Sequence, residues 1–160
     1  MPPRALADVT RLLASERVAT PAATSGGKTV PTGTPADSAE AAAIEQTVRD
    51  WLGCENAGQP LRAWALFSDG YLYRLLSRLN VTDGQALAAA AAPNAADAAG
   101  GAALVSIRGQ RELPDGRLGA TVTIAYPSVP MPKTFFFTFT QLDGRLLIDG
   151  ILGEISFSVP

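Results

Sequence analysis

The sequence contains no histidine and a single cysteine among its 160 residues. Without histidine, a Ser-His-Asp triad has no general base. Zinc and other transition-metal sites of the usual kind lose their commonest ligands, so neither metal nor cofactor is expected. Cys54 cannot close an internal disulfide, and thiol usage leaves the redox compartment open. No stretch approaches the ~18 apolar residues of a membrane span. No charge of one sign dominates: 13 basic and 15 acidic side chains give a net −2, which offers no footprint for nucleic acid or anionic lipid. At the start, Asp8 and Arg11 interrupt what would have to be the apolar region of a signal peptide, so no cleavable signal is expected.

What is present is enough for one domain with a real core, since 47% of the residues are hydrophobic. Thr20 to Glu40 is rich in Ala, Thr, Pro, Gly and Ser and has little to bury, which reads as a linker. Leu6, Val9, Leu12 and Leu13 lie at helical spacing ahead of it, a transient tail helix or a docking helix for a partner. Residues 1–36 are therefore assigned to a flexible tail and linker, and 37–160 to the folded domain. The tether resembles those of bacterial extracytoplasmic domains, whereas the missing signal reads as cytoplasmic. An N-terminus lying further upstream would reconcile the two.

Order begins at Asp37, which can cap a helix while Glu40 reaches back to it. Ile44, Val48, Trp51, Leu52 and Glu55 follow the 3.6-residue period. Gly58 suits a left-handed stop, and Pro60 the first turn of a second helix. Further helices follow at "YLYRLLSRL" and "TDGQALAAAAAP". From Ala103 the period changes to two. Ala120, Val122, Ile124 and Tyr126 alternate with polar or small residues, Phe135, Phe137 and Phe139 share a face, and Asp143-Gly144 signals a tight hairpin. Helices followed by an antiparallel meander give the α+β class, with helices on one face of the sheet. Phe136 points the other way, and "LLIDGIL" is apolar on both sides. The second sheet face therefore also needs cover, for which a homodimer through the β-sheet is the economical expectation.

The stretch "TVRDWLGCENAGQPLRAWALFSDGYL", followed by a meander ending in "LDGRLLIDGI", resembles the NTF2-like superfamily across about residues 37–157. The residues that carry it are Asn56-Ala57-Gly58, Leu66-Phe67, Asp69, Asp143-Gly144-Arg145 and Asp149. The resemblance, which extends to the ketosteroid isomerase and SnoaL-like branches, implies helices on a curved sheet that forms a cone. In its isomerases a tyrosine and an acid line the cone, and an Asp takes the proton. The matching positions here fall near Trp51, at Tyr73-Arg74-Leu75 and in "TFFFTFT", and none is a carboxylate. The connected Asp-Arg-Asp of the epoxide hydrolases has no evident counterpart.

Asp149 is the best polar candidate, expected to share a face with Leu147 and Ile151 inside an apolar strand. The alternative is that it points outward or satisfies a backbone donor near Gly150. Trp51, Trp64, Phe67, Tyr71, Tyr73, Phe135 and Phe137 could line an apolar ligand pocket, or simply form the core. Arg62, Arg74 and Arg78 read as solvated, and Cys54 as a buried, inert thiol. Three functions follow: a non-catalytic domain that binds a small apolar ligand or a protein through its cone or sheet face, an isomerase or dehydratase built on Asp149 and Tyr71, or a dimerisation scaffold without ligand.

Overall fold

A computed structural model describes residues 2–15, 30–93 and 101–153. Its elements in chain order are α1 (Leu6–Ala14), β1 (Thr34–Pro35), α2 (Ser38–Asn56), α3 (Pro60–Trp64), α4 (Asp69–Arg78), α5 (Gly84–Ala91), β2 (Ala103–Glu112), β3 (Leu118–Ala125), β4 (Lys133–Leu142) and β5 (Arg145–Leu152). The strands form one five-stranded antiparallel sheet in sequence order, so the chain is α+β. Among the described residues no helix is long and apolar enough to cross a membrane.

Local chemistry accounts for the boundaries. Asp37 and Glu40 complete a capping box at the start of α2. Gly58 takes φ +60° after it, and Pro60 opens α3. Ser68 and Asp83 cap α4 and α5 by accepting from the backbone three residues on. Asp143 and Gly144 both have positive φ, 51° and 72°, as a two-residue type I′ turn requires.

The core lies between the helices and one face of the sheet. Ile44, Val48 and Leu52 of α2, Leu72 and Leu76 of α4, and Ala120, Val122, Ile124, Phe137, Phe139 and Ile148 of the sheet are buried together. The helix expected in a free tail belongs to this core. Val9 and Leu12 of α1 are buried in it, and Arg4 donates to the Phe67 carbonyl and pairs with Asp69. The amphipathic stripe of a short helix gains stability by docking, which an isolated helix lacks. Residues 20–29 of the expected linker lie outside the described residues, as does the loop 94–100, whereas its remainder is not a free tether: Thr34 and Pro35 pair with β2 and Ser38 opens α2.

The opposite sheet face carries Phe136, Thr138, Gly119 and the hydrogen-bonded pair Thr123–Thr134. Phe136 is fully buried, and a Cβ at Gly119 would run into both Phe136 and Leu113. Phe136, one of the residues that suggested a second copy, is therefore covered within one chain.

One edge of the sheet is closed by a non-strand segment. Ser68 donates its N–H to Ile148 O at 2.9 Å, and Ile148 donates back to Leu66 O at 2.8 Å, a parallel bridge centred on Phe67. This fixes the residues that enter α4 directly against β5.

Candidate functional site

The site starts from a break in the β4–β5 ladder. Phe139 pairs with Ile148 and Thr138 with Gly150, which leaves Asp149 as the extra residue of a β-bulge. The bulge overturns the simple alternation expected of this strand. Leu147 pairs with Thr140, but Ile151 pairs with Phe137 and joins the helix-side core. Asp149 does not share a face with both neighbours, because the inserted residue shifts the two-residue period by one.

Asp149 is buried, with relative exposure of 6%, and both carboxylate oxygens are engaged. Ser68 Oγ donates to Oδ1 at 2.6 Å, and Arg117 Nη1 donates to Oδ2 at 2.9 Å. Arg74 Nη2 donates to the Asp149 carbonyl at 2.8 Å, and its guanidinium lies 6.0 Å from the Tyr71 ring centroid. The expectation of a solvated Arg74 thus fails, while Arg62 and Arg78 are exposed. The bulge opens a main-chain carbonyl that a long cation on the neighbouring helix can reach.

Arg117 comes from the β2–β3 hairpin. Leu113-Pro114-Asp115-Gly116 form a turn closed by Gly116 N–H to Leu113 O at 2.9 Å, with Gly116 at φ +78°. Proline at the second turn position and a left-handed glycine at the end are what a three-residue hairpin loop favours. The turn places Asp115 beside Arg117, where Asp115 Oδ2 accepts from Nε at 2.9 Å and Nη2 at 2.7 Å. Hydrogen bonding to Arg117 holds the Asp115 carboxyl below its ordinary range, and pairing first with Asp115 and then with Asp149 raises the Arg117 guanidinium, against the opposing effect of burial.

The result is a connected Asp115–Arg117–Asp149 set, which the sequence reading did not find. Its members are two and thirty-two residues apart, and the bulge and hairpin bring them together. The set borders a cleft of about 330 Å³ lined by Pro31, Thr32, Leu113, Pro114, Asp115, Arg117, Thr138 and Leu152. Thr138 and Arg117 belong to the sheet face turned away from the helices. Asp149 lies outside that lining.

The aromatic candidates sit elsewhere. Trp64, Phe67, Tyr71 and Phe137 are buried in the helix-side core, with Trp51, Tyr73 and Phe135 packed against it. Trp51 meets Phe137 edge-on at 5.6 Å, and Phe67 meets Tyr71 at 5.0 Å. Burial pushes the Tyr71 phenol up to about 12, unsuited to proton exchange near neutrality. The Trp51 indole N–H is buried without completing a hydrogen bond. Glu55, one turn on, lies close enough to interact with it, and desolvation raises the Glu55 carboxyl although the residue as a whole is exposed. Cys54 is half-buried and its thiol is likewise raised by burial.

Compared with known proteins, the chain matches no family model, no curated protein and no solved structure.

Proposed function

We propose that this chain is a non-catalytic, NTF2-like domain that binds a small, largely apolar ligand through the outer face of its sheet. The helix order, the left-handed Gly58 after Asn56-Ala57 and the Asp143-Gly144 hairpin before the last strand support the NTF2-like reading. The observation that carries the binding assignment is the location of the cleft, beside Arg117 and Thr138, while the aromatics expected to line a cone pack on one another. A volume of about 330 Å³ is at the lower end of small-molecule sites. The isomerase or dehydratase alternative would need Asp149 and Tyr71 to share a substrate. Asp149 is held by Ser68 and Arg117, and Tyr71 is locked against Phe67.

Indole, a neutral apolar probe, tests this by amide NMR titration of the full chain. Binding should shift the resonances of Leu113, Thr138 and Leu152. Shifts centred instead on Trp51, Tyr71 and Phe137 would place the site in the interior and overturn the assignment.

A further inference from the structure

The two carboxylates on Arg117 are not equivalent, and the difference points to the chemistry of the ligand. Asp149 is nearly enclosed, with 9% side-chain exposure, and is also anchored by Ser68. Asp115 stands at the tip of a turn with 49% of its side chain exposed. It nevertheless occupies the part of the guanidinium best shaped for a carboxylate, the edge formed by Nε and Nη2. An arginine fork binds a planar carboxylate through two parallel donors. Removing Asp149 from that arginine would leave a buried charge unpaired, whereas Asp115, half exposed, regains water when it gives up the guanidinium and its 3.2 Å bond from the Arg117 backbone N–H.

We propose that Asp115 is an internal stand-in for the carboxylate of a ligand, and that the cleft takes small monocarboxylic acids with an apolar tail. Asp149 holds Nη1 from beneath and fixes the plane of the guanidinium. The incoming carboxylate displaces Asp115 and accepts from Nε and Nη2. The apolar tail lies against Leu113, Pro114 and Leu152, and the Thr138 hydroxyl borders its path. No bond is made or broken. This inference rests on the outer cleft being the binding site and adds the class of molecule that fills it.

The test uses 4-phenylbutyrate and its neutral amide, 4-phenylbutanamide, as probes of the full chain by NMR titration. The acid should shift the Arg117 Nε–H resonance together with the amides of Leu113 and Leu152, and the amide probe should bind at least fivefold more weakly. Asp115→Ala removes the competing carboxylate and should tighten the acid by about fivefold, the equivalent of one exposed ion pair. It should leave the neutral amide unaffected. Replacing Arg117 can unfold the chain by stranding Asp149, so the decision rests on Asp115→Ala. Weaker or unchanged acid binding in that variant overturns the stand-in role. Equal binding of acid and amide in the cleft overturns the carboxylate class while leaving the cleft assignment intact. Acid binding that shifts only interior residues overturns the cleft assignment itself.

Discussion

Replacing Asn56 by alanine removes a clamp between the end of α2 and the start of the sheet. The Asn56 side chain donates through Nδ2 to Ala102 O and accepts at Oδ1 from Ala102 N, both at 2.8 Å. It thus pairs with Ala102 as a neighbouring strand would, across 46 residues of chain. Two such bonds are worth about 1 kcal/mol each. Alanine returns roughly 0.5 kcal/mol of helix propensity at the last turn, so the net loss should be about 1.5 kcal/mol. For a chain of this size that lowers Tm by about 3–6 °C. The adjacent Gly101 gives a second way to remove the clamp. A Cβ there would collide with the Asn56 amide, whose Cγ, Oδ1 and Nδ2 are its three nearest neighbours. Gly101→Ala should therefore evict the clamp and cost about 1 kcal/mol after the smaller unfolded-state entropy of alanine is credited. In the Asn56→Ala background that collision is gone, and the same change should be neutral or slightly stabilising. Urea unfolding of the four proteins, followed by circular dichroism, closes the cycle. The double variant should be about 1.5 kcal/mol more stable than the sum of the single effects implies. Additive effects, or a Gly101→Ala variant as stable as the parent, would refute the clamp.

Val9→Ala should cost about 2 kcal/mol in urea unfolding, because Val9 is fully buried in the shared core; a change within the error of the measurement would mean that α1 is not docked in solution. Glu55 supplies a pH test with a definite sign. Its folded carboxyl is raised by burial, so the folded state holds the proton more tightly and its contribution to stability falls as pH rises from the unfolded pKa through the folded one. Glu55→Gln should abolish this component, leaving the variant relatively more stable at pH 7 than at pH 3. Parallel stability–pH curves for parent and variant would contradict the raised carboxyl.

Much of the frame was legible in the sequence because it follows from short-range chemistry. Asp37 with Glu40, Gly58 before Pro60, and Asp143-Gly144 each determine a cap or a turn through the conformations that a few residues permit. The phenylalanines of β4 identify their faces by alternation alone. The Asp115–Arg117–Asp149 set was not legible. Its signal could have been sought in Pro114-Asp115-Gly116-Arg117, a turn that aims an arginine back over the sheet, but no spacing connects that turn to Asp149. Arg74 was misread for the same reason, since its partner is a backbone carbonyl freed by the bulge 75 residues away.

Local chemistry suffices for the class of fold, the order of most elements and most of their ends, since caps, turns and hydrophobic periods act within a few residues. That α1 joins the core, that Phe136 is covered within the chain and that Asp149 leaves its expected face follow from the folded arrangement alone. Those outcomes depend on one extra residue in a ladder and on contacts between distant segments. Burial and ion pairing are properties of what meets in space, and no local pattern encodes them.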